Sequence, residues 1–107
     1  MAYIQMYSYQ RRFTWDSRKS ADNLTERGFD FAFASRIFEG RTLEREDDRW
    51  DYGERRVIAI GVVETITLIV VYTDRVVPAG HVVRRIISAR VASRQERKTY
   101  EVAIQEG

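Results

Sequence analysis

Arg84–Glu101 reads RRIISARVASRQERKTYE. It joins two kinds of periodicity. Val82 to Val91 is extended and β-branched, the composition of a strand. Ser93 followed by Glu96 three residues on is a capping box, so a last helix starts there and is expected to run to about Ile104. Strict alternation puts Arg84, Ile86, Ser88 and Arg90 on one face of the strand and Arg85, Ile87 and Ala89 on the other. Ile87 and Ala89 then belong to the core, and the face of Arg84, Ser88 and Arg90 is an open surface. The helix carries Arg94, Arg97, Lys98 and Tyr100 toward the strand's end, and its first amides favour an anion there. Strand and helix together read as a receptor for a phosphodiester.

Upstream, the elements follow from local signals. WDSRKSADNLTERG is a helix with Asp16 as its N-cap and Gly28 as its stop. FDFAFASRIFEG repeats the device with Asp30 and Gly40, and Phe33, Ala34, Ile37 and Phe38, extended by Phe31, form one apolar stripe. RTLEREDDRW reads as an edge strand leading into a loop through DDRWDYGE. RRVIAIGVV and TITLIVVYT are strands joined by a hairpin near Glu64, the second apolar on both faces and therefore central. Pro78-Ala79-Gly80 is a turn. Before Phe13, Tyr3, Tyr7 and Tyr9 are in phase, and residues 1–12 read either as an extra strand or as a mobile arm. The expected layout is a single α+β domain over residues 1–107: two N-terminal helices, a mostly antiparallel sheet of about four strands, and one C-terminal helix.

Composition bounds the chemistry. The chain has 107 residues, 44% hydrophobic and 32% charged, enough for one core. It contains no cysteine, which excludes disulfides, thiolate metal sites and cysteine nucleophiles. No run is long enough to span a membrane and the N-terminus has no signal-peptide core, so a cytoplasmic location is expected. All of the basic residues except Lys19 and Lys98 are arginine, whose planar fork pairs with phosphate bidentately. Charge is segregated: Glu39–Glu54 is acidic, whereas Arg75–Lys98 holds Glu96 as its one acid. An anionic partner at the basic end is expected, against the plainer reading of ordinary solvated faces.

Competing roles stand beside each candidate. Glu96 reads first as the capping-box carboxylate and second as a general base. Tyr100 reads either as a packed ring with a hydrogen bond at the rim or as a proton donor. Arg84 and Arg85 read alternatively as partners for the acids of EREDD. His81 lies in a turn and reads first as solvated and second as a group suited to proton transfer. Asp47, Asp48, Asp51 and Glu54 do not have the spacing of a calcium loop, so no metal and no cofactor are expected. Trp15 and Trp50 are core or rim aromatics that could also stack on a base.

Six blocks in order, WDSRKSADNLTERGFDF, DYGERR, AIG, VVYTDR, RIISAR and ERKTYE, resemble BrnT-type toxins of bacterial type II toxin–antitoxin pairs. The resemblance covers Phe13 to Glu101. Matching positions are Trp15, Asp16, Asn23, Gly28, Phe31, Ala34 and Phe38 in the helical half. In the sheet half they are Tyr52, Gly53, Glu54, Arg56, Gly61, Tyr72, Thr73, Arg85, Ser88, Arg90, Glu96 and Tyr100. Two departures are Glu26-Arg27, where the family often has Lys-His, and Ser17, where proline often follows the Trp-Asp pair. The resemblance implies a RelE-like fold, a ribonuclease that arrests translation, and a cognate antitoxin that neutralises it. It also implies a dimeric heterocomplex that binds operator DNA through the antitoxin. Cleavage without a metal needs cations on the phosphate, for which Arg85, Arg90 and Arg94 are the candidates, and proton transfer, for which Glu96 and Tyr100 are. Arg84, Ser88, Arg97 and Lys98 are the candidate RNA-binding residues. The alternative is a non-catalytic binding module whose basic face docks an acidic antitoxin or nucleic acid.

Overall fold

A computed structural model describes residues 1–6 and 12–107, the side chains of Gln5 and Met6 excepted. Tyr7 and Tyr9, two of the three in-phase tyrosines, lie outside the described residues. Strand β1 is Ala2–Met6 and β2 is Arg12–Trp15; helix α1 is Ser17–Arg27 and α2 is Phe31–Ser35, continued by a 3-10 turn, Arg36–Glu39. Then come β3 Arg41–Glu46, β4 Val57–Val63, β5 Ile66–Val76, β6 Val82–Val91 and helix α3 Arg94–Glu106. The six strands form one sheet in the order β1-β3-β4-β5-β6-β2.

The caps fall where the sequence puts them. Asp16 accepts from the amides of Arg18 and Lys19 at 2.9 and 3.0 Å, and Gly28 ends α1 in the left-handed region at φ 87°. Asp30 accepts from the Phe33 amide. Ser93 and Glu96 complete the capping box on both sides. The second helix is shorter than expected. It tightens into a 3-10 turn after Ser35, and Gly40 is extended rather than left-handed.

The expected sheet needs correction. Two short strands precede the helices, and the sheet is mixed because β2 runs parallel to β6. Strand β3 is not an edge, since β1 pairs with it antiparallel from Ala2↔Arg45 to Met6↔Arg41. These pairings join segments far apart in sequence, and neither β1 nor β2 has enough alternation to announce a partner. The expected layout, and with it the RelE-like fold that the resemblance implies, is therefore met in its last helix, in the hairpins of its centre and in a sheet that is antiparallel in every pairing but β2 with β6, but not in its strand count or in its sequence of opening elements. Strand β5 is central as expected, with Thr67 to Thr73 buried throughout.

Alpha2 and the 3-10 turn cover one face. Phe31, Ala34, Ile37 and Phe38 pack with Val57, Ala59, Leu68, Val70, Tyr72, Ile86 and Ala89. The turn comes so close to β4 that a Cβ on Gly61 would stand 2.7 Å from the Ile37 Cβ, inside any tolerable contact. The opposite face carries a smaller cluster of Ile58, Ile69 and Val71 with Ile60, Ile87 and Ala92 against it. Helix α3 packs over the β3–β4 end of that face, leaving the β5–β6 end open.

One irregularity decides what β6 presents. Across β5 and β6, Val71 pairs with Ser88 and Tyr72 with Ile86, so Ile87 is an extra residue opposite the Val71–Tyr72 step. A bulge of this kind breaks alternation. Ile86 and Ala89 consequently both join the helix-covered core, while Ile87 packs on the other side. The expected core pair of Ile87 and Ala89 is thus split between faces. So is the expected open face: Arg84 points into the helix-covered side and is 2% exposed.

Candidate active site: an arginine pocket on the open face

Cross-strand register builds the site. Arg45 lies opposite Ile58, Ile58 opposite Val71, and Val71 opposite Ser88, so these four side chains form one row across the sheet. Arg90 stands in the neighbouring row, opposite Ile69. Arg27, at the C-terminal end of α1, reaches the end of the row and donates to the Ala89 carbonyl at 3.1 Å and to Asn23 Oδ1 at 2.9 Å. Arg49 follows β3 in the loop, and Glu96 comes from the first turn of α3. Together they enclose a pocket of about 170 Å³ with Ile58, Ile69 and Val71 as its floor. Four guanidiniums against Glu96 and the Asp47 carboxylate behind Arg49 leave it cationic, and its apolar floor raises the strength of each charge interaction.

Two of these arginines are held in forks. Arg90 donates from both terminal nitrogens to the two Glu96 oxygens at 2.8 Å each. Arg49 pairs with both oxygens of buried Asp47 at 2.7 and 2.8 Å, and Tyr52 adds its hydroxyl to Asp47. The Arg90 guanidinium, helped by the Ser93 amide, pulls the Glu96 carboxyl down to about 2. Arg49 does the same to Asp47. A carboxylate that low is a weak proton acceptor. Glu96 therefore aims Arg90 and caps α3, the first of the two roles open to it from sequence.

Of the residues singled out from sequence, Ser88, Arg90 and Glu96 meet in this pocket. Arg85 stands outside it, in a separate hollow with Asp16, Lys19, Glu54, Arg56 and Arg75. Arg94, Arg97 and Lys98 are exposed on α3 away from the pocket walls, Arg97 within 3.8 Å of Glu101. Tyr100 is buried and donates to the Arg41 carbonyl at 2.7 Å; burial pushes its phenol above the ordinary value, against the charge of Arg41. That hydrogen bond ties the middle of α3 to the start of β3 and engages the hydroxyl's proton there, outside the residues that line the pocket. Arg84 is locked on the other face, with both Asp74 oxygens at 2.7 and 2.8 Å and its guanidinium 3.8 Å over the Tyr72 ring. The acids of the loop are engaged as well: Asp51 caps the Gly53 amide, and Glu54 pairs with Arg56 and Arg75. Among the described residues, no three acids or histidines gather as a metal site.

Arg27, Arg45 and Arg49 were not singled out beforehand. Arg27 carried one signal, its place before Gly28, where the resembling family often has histidine. Arg45 and Arg49 lay in a stretch dominated by acids, and their convergence on Arg90 depends on pairings between distant strands.

No helix among the described residues is long and apolar enough to cross a membrane. A search of curated proteins returns no match. The scan against protein families returns a match over residues 15–96, a span that includes Arg27, Arg45, Arg49, Arg90 and Glu96, to the ribonuclease toxin BrnT of type II toxin–antitoxin systems. The match covers most of the chain, and the protein belongs to the BrnT family of ribonuclease toxins.

Proposed function

We propose that the arginine pocket holds a bridging phosphate of RNA and that the protein is a metal-independent endoribonuclease. The carrying observation is the convergence of Arg27, Arg45, Arg49 and Arg90 on one open hollow. In the reaction the 2′-oxygen loses its proton and attacks phosphorus, the bond to the 5′-oxygen breaks, and the leaving oxygen takes a proton. Products are a 2′,3′-cyclic phosphate and a 5′-hydroxyl. The guanidiniums meet the charge that grows on the phosphoryl oxygens, an effect worth about 10²–10³-fold per well-aimed donor. Need for the 2′-hydroxyl makes the substrate RNA rather than DNA. With Glu96 held as a carboxylate and the Tyr100 hydroxyl engaged by the Arg41 carbonyl, proton transfer falls to solvent, and the site works by positioning and electrostatics. Cleavage of cellular RNA by such a site would arrest translation.

A cognate antitoxin would neutralise the protein by laying an acidic segment over the same arginines. Its assembly with this chain into a dimeric complex, binding operator DNA through the antitoxin, accords with the family. The second reading is a binding module without catalysis, favoured by the absence of a proton donor among Glu96 and Tyr100. Purified protein incubated with RNA in EDTA separates them. Fragments ending in 2′,3′-cyclic phosphate are expected. Intact RNA together with normal growth of bacteria expressing the soluble chain would leave only the binder.

A further inference from the structure

Beyond the arginine pocket, the open face continues as a track. The pocket shares Arg27 and Ser88 with a second hollow of about 260 Å³ beside α1. That hollow, lined by the acids Asp22 and Glu26 as well as by Lys19 and Arg27, shares Lys19 and Ile87 with a third, of about 210 Å³, at the start of α1. The bulge makes the three continuous. Arg85 and Arg90 are five residues apart, and unbroken alternation would turn them to opposite faces. With Ile87 bulged, Arg85 stands opposite Thr73 and Arg90 opposite Ile69, in phase along one face of β5.

The far hollow is also cationic. Arg56 and Arg75 each reach Glu54 at 3.2 Å and share its single charge. Arg85 and Lys19 add two more cations against the Asp16 carboxylate, so four cations face two acids. Their partners Thr73 and Ile69 are four residues apart, which separates Arg85 and Arg90 by roughly 13 Å at strand rise, more than one phosphodiester spans.

From this we infer a second phosphate subsite at Lys19, Arg56, Arg75 and Arg85, which holds the backbone of a single-stranded RNA whose scissile phosphate lies in the arginine pocket. The inference rests on the proposed cleavage site. The far subsite contributes affinity and length preference and does not touch the reacting atoms.

The test compares the full chain with a Lys19→Ala/Arg75→Ala variant, both positions at the surface, on a dinucleoside monophosphate and on a single-stranded RNA of about twelve nucleotides, within the range such grooves cover. The variant is expected to raise KM for the longer RNA severalfold with kcat unchanged, and to cleave the dinucleotide as the parent does. Binding of the longer RNA, followed by fluorescence anisotropy, should lose salt dependence by roughly 0.7 in slope for each phosphate contact removed. An unchanged KM and salt slope overturns the subsite. Equal losses on both substrates also overturn it, since they place these cations in the cleavage pocket. Anisotropy reads the subsite even if neither RNA is cut, a result that would instead sink the nuclease reading.

Discussion

Arg84 and Arg90 stand near opposite ends of one strand, and each is gripped by a carboxylate through two hydrogen bonds. Their surroundings differ. The Arg84 side chain is 3% exposed, although its partner Asp74 is 36% exposed, and it lies against Tyr72 and Phe38 under the helices. The Arg90 side chain is 48% exposed and its partner Glu96 33%, at the rim of an open pocket. A half-exposed pair is worth only about 0–1 kcal/mol, so a phosphate can displace or join it. Breaking a buried pair costs about 3–5 kcal/mol. Pairing alone does not remove an arginine from function; burial does. The bulge at Ile87 decides which arginine is buried.

The largest expected effect breaks the buried side. Arg84→Ala leaves a void beside Phe38 and Tyr72 and takes the fork from the partly exposed Asp74, and should destabilise the fold by about 2–4 kcal/mol in urea denaturation, most of it from the void. A loss below 1 kcal/mol would erase the distinction between the two faces.

A smaller effect sharpens the open side. Glu96→Gln keeps a capping-box residue and removes the charge. Because the folded carboxyl titrates at about 2 rather than its ordinary 4.5, its pair with Arg90 stabilises the fold above about pH 4.5, and this is lost as pH falls toward 2. The parent's advantage over Glu96→Gln in denaturation midpoint should be constant at neutral pH and vanish across that acid window. An advantage that persists at pH 2 would mean that the ion pair is not its source.

What was legible in the sequence was local. Asp16, Gly28, Asp30 and the Ser93–Glu96 box are read from a few neighbouring residues, and each acts where it was expected. The central hairpin was legible because β-branched residues crowd on both sides of Glu64, which adopts φ 59°. The bulge was not, because register belongs to two strands at once. Without it, Arg84 was assigned to the open face and Arg85 to the closed one. Strand β1 falls within residues 1–12, which read as an extra strand or a mobile arm, but its partner, and β2 altogether, were not legible because the pairing segments lie far along the chain. Half of the site, Ser88, Arg90 and Glu96, was visible as one strand and its following helix. The other half, Arg27, Arg45 and Arg49, arrives from three separate elements and meets it only in the fold.

The most direct measurement is single-turnover cleavage of a short RNA by Arg90→Ala beside Tyr100→Phe, with folding of both checked by circular dichroism. Arg90→Ala should cut about 10²–10³-fold more slowly, while Tyr100→Phe, which loses a structural hydrogen bond worth about 1 kcal/mol, should cut at the parent rate. Parent-rate cleavage by folded Arg90→Ala would contradict the assignment of the arginine pocket as the place where RNA is broken.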